Sequence, residues 1–341
     1  MSSPGAPGRS PQGTSSDALP VVEGDQGEPV VDVQERLCGV GLGPIADPPG
    51  FFGPATRAAV EAFQHRRGLR IDGICGPQTW ETLVEASFHL GDRLLYRKIP
   101  MMRGDDVAEL QQRLSALGFD AGRVDGIFGD QTAMALAEFQ RNTGHPPDGI
   151  AGPATVADLA RLATRQPEPE LVTNVRARDE LRHIAPTLAG RLVAVGEGGG
   201  MQTVVAALRR RLVRAGARVV DLHHPEGSTQ AQEANAAGVD LYVGVRLDPA
   251  VQGCATAFYS GYRYESPGGR RLAEIIQAHV TADLSVPDRG TRGMSVPVLR
   301  ETRMPAVIVE VGPARMVVER GPALGDALAA ALSDWVSTAG S

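Results

Sequence analysis

The stretch "FFGPATRAAVEAFQ" (51–64) returns 76 residues later as "IFGDQTAMALAEFQ" (127–140), and that recurrence decides how the first half of the chain is built. The echo continues on both sides. "VQERLCGVGL" (33–42) matches "LQQRLSALGF" (110–119) at an offset of 77, and "DGICGPQTWETL" (72–83) matches "DGIAGPATVADL" (148–159) at 76. Residues from about 22 to 163 are therefore two copies of one module. Apolar positions fall at helical spacing: Val33, Leu37 and Val40 are echoed by Leu110, Leu114 and Leu117, and Val60 and Phe63 by Leu136 and Phe139. Asp-Gly at 72–73, 125–126 and 148–149 supplies turns, and Gly-Pro at 76–77 and 152–153 puts proline in a first helical turn. Each module reads as three short helices, with most of these positions acting as scaffold.

The whole chain, 341 residues, has room for two or three domains at roughly 100–200 residues each. Its net charge of −6 gives no bulk attraction to nucleic acid or to an anionic membrane. An aromatic content of 4% leaves little for stacking bases or sugars. Cys38, Cys75 and Cys254 are odd in number and lack CxxC spacing, so they predict reduced thiols rather than a disulfide framework or a zinc knuckle. The opening "MSSPGAPGRSPQGTSSDALP" is rich in Pro, Gly and Ser and has no apolar core, which reads as a disordered tail (1–21) and not as a signal peptide. No run approaches the roughly 18 apolar residues of a membrane span.

The order F-G-x-x-T…F-Q…D-G-x-x-G-P, present in both copies, resembles the small three-helix peptidoglycan-binding domain found on many cell-wall hydrolases. The resemblance covers both modules, 22–90 and 98–163, and implies that this half binds peptidoglycan or muropeptides. A module of about 60 residues buries only ~60% of its unfolded surface, so the two are expected to stiffen one another.

After a charged linker (164–184), strands alternate with helices. Strands are expected at 191–196, 217–222, 240–247, 254–260, 296–300 and 306–311, with helices near 201–215, 229–237, 267–283 and 322–337. Near-continuous apolar strands between helices predict an α/β domain (185–341) with a mostly parallel sheet. Function in such sheets gathers beyond the carboxyl ends of the strands. "LVAVGEGGG" (192–200) lies at such an end, but Met201 stands where a dinucleotide fingerprint needs its third glycine.

"AQEANAAGVDLYVGVRLD" (231–248), "SPGGRRLAEIIQ" (266–277) and, most specifically, "VLRETRMPAVIVEVG" (298–312) resemble the zinc-dependent N-acetylmuramoyl-L-alanine amidase domain of the third type. In that family His, Glu and His hold zinc, and a further glutamate assists the attacking water. By resemblance Glu310 occupies the catalytic glutamate position. Where the family has its Asp-Pro-Gly-His-Gly-Gly turn, this chain has no histidine, and Glu197 is the one ligand candidate retained. Arg246 replaces the second histidine.

Zinc lowers the pKa of bound water from 15.7 to about 7, which at 1.36 kcal/mol per unit is roughly 12 kcal/mol of help in making hydroxide. A lone general base contributes about 3–5 kcal/mol, so Glu310 does not replace the metal. His223 and His224, with Asp221, end the second strand, but adjacent strand residues point to opposite faces.

For Arg246 two readings stay open: a solvated strand-end side chain, or a guanidinium that pairs with Glu197 or Glu310 or offers a fork to carboxylate or phosphate. Arg289, Arg292 and Arg300 are candidates for an anion-receptive rim, so Arg246 and Arg300 are the binding residues expected.

The whole arrangement resembles the actinobacterial pseudo-amidases of the CwlM type. It implies a cytoplasmic, non-catalytic regulator that binds peptidoglycan or muropeptide precursors and acts through enzymes or transporters of precursor synthesis, with no resident cofactor, no nucleic acid and no membrane span. The rival is an active zinc amidase, which would carry zinc. A third reading is a wall-anchoring protein without regulatory partners.

Overall fold

The structure, a computed structural model, describes residues 19–43, 45–163, 186–261 and 264–338. The expected tail up to Ala18 and the expected linker fall outside the described residues. The chain divides into two compact units, Met1–Phe88 and His89–Ser341.

The first unit holds α1 (Glu28–Leu37), α2 (Pro54–Arg66) and α3 (Pro77–Ala86), with a π-helical turn at Cys38–Leu42. Val30, Val33, Leu37, Phe52, Val60, Phe63 and Leu83 meet in its core, so the helical spacing read from the sequence is the buried stripe. The second unit opens with the repeat of this module: α4 (Asp105–Ala116), α5 (Asp130–Thr143) and α6 (Pro153–Ala163). Leu110, Leu114, Phe128, Leu136 and Phe139 form its core, joined by Leu95 from the segment before α4.

Buried glutamines tie each module together. Gln64 Nε2 donates to Asp72, to the Ile74 carbonyl and to Thr79, while its Oε1 accepts from the amides of Asp72 and Gly73. Gln140 repeats this with Asp148, Ile150, Thr155 and the Gly149 amide. One amide side chain thus serves several groups of each Asp-Gly turn, while the turn's own aspartate takes the Ile74 or Ile150 amide. Gln34 and Gln111 do the same for the turn before the second helix of each module.

The α/β domain comprises β1 (Leu192–Glu197), α7 (Gln202–Arg214), β2 (Arg218–His223), α8 (Gly227–Ala237), β3 (Leu241–Leu247), β4 (Gly253–Tyr259), α9 (Pro267–Leu284), β5 (Asp288–Met294), α10 (Pro297–Glu301), β6 (Ala306–Gly312) and α11 (Ala314–Thr338). The sheet order is β2-β1-β3-β6-β4-β5, and only the β6–β4 pairing is antiparallel. Side-chain alternation sorts the strands into two layers. Val193, Val195, Val243, Val245, Val307 and Val309 pack with α7, α9 and α11. Ala194, Tyr242, Ala257 and Ile308 pack with α8 and α10.

The strand expected at 296–300 is instead the helix α10, and the strand lies earlier, in "DRGTRGM". Pro297, set after an extended Val296, is preorganised for a first helical turn. β5 is a polar, largely exposed edge strand paired on one side only, so it carries no apolar alternation to read. The last helix begins at Ala314 and runs through Pro322, earlier than the expected start.

Within the second unit the repeat module docks on the α8/α10 layer. Its Ala108 and Val124 join the same core cluster as Tyr242 and Val298. Arg123 lies over the adjacent rings of Tyr259 and Tyr264, 5.2 Å from each centroid, and donates to the Thr302 carbonyl. Arg103 Nη1 meets Glu301 Oε1 at 2.7 Å.

Candidate functional site at the carboxyl ends of the strands

Glu197 is the last residue of β1, and the chain turns after it through Gly199 and Gly200, at φ 119° and 79°. Those left-handed glycines fold the backbone back so that Glu197 Oε2 accepts from the Met201 amide at 3.0 Å, where α7 begins. The other oxygen is 3.1 Å from His223 Nδ1, its register partner on β2. Glu197 is only 5% exposed, so both oxygens of a buried carboxylate are held by the helix start and the histidine. "GEGGG" is a turn whose glutamate holds the Met201 amide just ahead of α7.

Glu310 lies on the other side of the sheet. Glu197 continues the row Val193 and Val195, which packs against α7, whereas Glu310 continues Ala306 and Ile308, which pack against α8 and α10. Its flanks are cationic. Arg246 is its register partner on β3, and Arg292 on β5 donates to Glu310 Oε2. The intervening β4 offers only Ala255 and Ala257 at these positions, so Arg292 can reach across. Arg246 is half-buried, with no hydrogen-bond or ion-pair partner among the described residues.

Beneath the strand ends the space is filled. Tyr242 Oη donates to Gln230 Oε1 at 2.5 Å, and Gln230 Nε2 donates to the carbonyls of Glu197 and His224. A Cβ on Gly196 would lie 2.1 Å from Tyr242 Oη and 2.3 Å from Gln230 Oε1, so glycine is required there. Burial pushes the Tyr242 phenol far above its usual range, which keeps it a neutral donor.

These residues do not fit a zinc ion. Among the described residues no three His, Cys, Asp or Glu side chains come together as a metal would need. Glu197 and Glu310 face opposite sides of the sheet, and the carboxylate of Glu310 is held by the guanidinium of Arg292, whose charge repels a dication. Nor do Asp221, His223 and His224 converge. Asp221 pairs with Arg209 on α7 at 2.5 Å, His223 with Glu197, and His224 Nδ1 accepts from the Glu226 amide.

The expected anion rim is divided. Arg292 is engaged with Glu310, and Arg289 Nε donates to the Gln252 carbonyl. Arg300, its side chain 12% exposed, lies beside Glu301 and Asp125 at the docked module, so it is not brought to Arg246.

Sequence reasoning missed the clamp of Arg103, Arg123, Tyr259, Tyr264 and Glu301. A signal existed in the repeat itself: at these positions the first module has Gln26 and Asp47 instead of arginine.

The profile of the peptidoglycan binding domain matches residues 26–83 and 103–159, and that of N-acetylmuramoyl-L-alanine amidase matches 194–316. The chain is 37% identical over 287 residues to N-acetylmuramoyl-L-alanine amidase CwlM of Mycobacterium tuberculosis, covering 74% of this chain and 70% of that one. A probable N-acetylmuramoyl-L-alanine amidase of Bacillus licheniformis is 35% identical over 167 residues, 44% of this chain and 47% of that one, so the match spans under half of that relative. Among solved structures, the amidase Ami1 of Mycobacterium smegmatis superposes with a TM-score of 0.40 at 13% identity, covering 45% of this chain and 99% of that one.

Proposed function

This chain belongs to the N-acetylmuramoyl-L-alanine amidase family, and from that premise we propose that it binds peptidoglycan fragments without cleaving them and regulates peptidoglycan synthesis. The observation that carries the reading is the pairing of Glu310 with Arg292, with Arg246 beside it. One carboxylate oxygen is taken up by Arg292 and is not free to hold a water, and a cationic surround is a poor seat for zinc. The two peptidoglycan-binding domains supply affinity for the wall polymer or its precursors. We place the protein in the cytoplasm, where its three free cysteines stay reduced and where enzymes or transporters of precursor synthesis are its partners. Arg246, half-buried and unpaired among the described residues, is the anion-receptive residue of this domain.

Zinc per chain on purified, untagged protein, with peptide release from sacculi assayed on the same sample, tests this. The expected result is no metal, no release and retention on sacculi. The retained Glu310 supports the opposite reading, an active amidase, and about one zinc per chain with amide cleavage would establish it.

A further inference from the structure

We propose that the cleft between the second helical module and the α/β domain is a binding site for an acidic peptide. The cleft encloses about 370 Å³, within the ~300–1,000 Å³ of small-ligand sites. It is remote from Glu310. That residue is in register with Ala255, whereas the clamp begins at Tyr259, four residues and roughly 13 Å further along β4.

Its walls are fixed before any ligand arrives. Arg103 and Glu301 tie the two domains, Asn235 Nδ2 donates to the Glu301 carbonyl at 2.8 Å, and the Arg303 amide donates to Asn235 Oδ1 at 2.9 Å. Preorganised walls reduce the ordering cost of binding.

The carboxylates that line the cleft are already engaged. Glu301 is met by Arg103, by Arg300 at 3.7 Å and by the Ser228 hydroxyl at 3.2 Å. Asp130 pairs with Arg97. Asp125 accepts from Gln111 and the Ile127 amide, and burial pushes its carboxyl up toward the neutral form.

Three lining side chains remain uncommitted. Arg303, from the α/β domain, is exposed and has no acidic partner among the described residues. Gln131 and Gln232 stand exposed on opposite walls, again with no side-chain hydrogen bond among the described residues. Two primary amides, each both donor and acceptor, complement a peptide backbone, and a free guanidinium forks a carboxylate. The lining includes no aromatic ring on which a sugar would stack, so the peptide and not the glycan is the group recognised. An acidic peptide reaches the cleft as the stem of a muropeptide or as a free chain.

The choice of a wall peptide as probe rests on the function proposed above. Calorimetry on the full chain would use a disaccharide-tetrapeptide, the same tetrapeptide without sugars, and that tetrapeptide with its carboxylates amidated. Retention on insoluble sacculi would be measured alongside. The sugar-free peptide is expected to bind as well as the disaccharide form. Arg303→Ala should weaken it about tenfold, as loss of one charged hydrogen-bonded pair does, and Gln232→Ala should weaken it less. The amidated peptide should bind weakly and lose nothing further in Arg303→Ala. Both residues are exposed and make no contact that folding needs.

Absence of peptide binding, or equal binding by wild type and both variants, overturns the assignment. If sacculi are still retained, the wall-binding reading survives that failure. Cleft-dependent peptide binding without retention on sacculi upholds the cleft and removes the wall as its context.

Discussion

Arg292 donates to the Glu310 carboxylate from two strands away, reaching over Ala255 and Ala257 of β4. The arginine is half exposed, its side chain at 53%, and solvent screens such pairs. Arg292→Ala should therefore change stability by only about 0–1 kcal/mol, read from denaturant unfolding. It should also release no peptide from sacculi, because it bares a carboxylate but creates no nucleophile. Measurable amide cleavage by this variant would show that Arg292, and not the lack of a metal-bound nucleophile, is what keeps the site inactive.

Arg246→His restores the residue type of the family's second ligand histidine, yet it should not confer zinc binding. The nearest retained candidate, Glu197, lies in the row of the opposite face and is held by the Met201 amide and His223. One new imidazole beside Glu310 makes at most two ligands on one face, whereas zinc sites hold three or four. Stoichiometric zinc in the purified variant would show that the strand ends rearrange.

Glu197→Ala should destabilise the α/β domain by about 1–3 kcal/mol, the range for leaving a buried donor without its acceptor. The Met201 amide is the group left exposed to that cost. Glu197→Gln retains an acceptor and should lose less. Midpoints of urea unfolding at constant slope decide between these outcomes.

Much of the fold was legible in the sequence, and the reasons differ by element. Val60 and Phe63 recur as Leu136 and Phe139 because a helical core fixes both spacing and residue class. β1, β3 and β6 are buried on both faces and read as continuous apolar runs. β5 was not legible, since an exposed edge strand needs no apolar residue. Glu310 and Arg246 could be placed by resemblance. The partner of Glu197 could not, because it depends on two left-handed glycines that bring Met201 back to it. Arg123 looks like any loop arginine until Tyr259 and Tyr264, more than 130 residues away, close on it.

Native protein at pH 8 should expose one thiol per chain to a water-soluble aromatic disulfide reagent, and three once unfolded. Cys38 is exposed, while Cys75 and Cys254 are buried. Burial pushes both buried thiols up from 9.0 to about 12, so neither supplies thiolate. Their folded values exceed the unfolded ones, so between pH 9 and 12 the native state binds more protons than the unfolded state. Stability is therefore intact below pH 9 and falls as pH rises through that window. Cys75→Ala should flatten this fall in the first unit, and Cys254→Ala in the second.

Arg123→Ala should uncouple the second module from the α/β domain without unfolding either. The substitution removes two cation–π contacts, together about 1–4 kcal/mol, and the hydrogen bond to the Thr302 carbonyl. It leaves the module's own core of Leu110, Leu136 and Phe139 intact. Adding Arg103→Ala removes the ion pair with Glu301 as well. In the wild type, amides of α10 and of the 123–128 turn should exchange hydrogen with similar, shared protection. In the double variant α10 should lose protection while α5 and α6 keep theirs. Equal protection in both proteins would mean that Ala108 and Val124 alone hold the interface. Collective loss across α4–α6 would mean that the module depends on the α/β domain for its own stability.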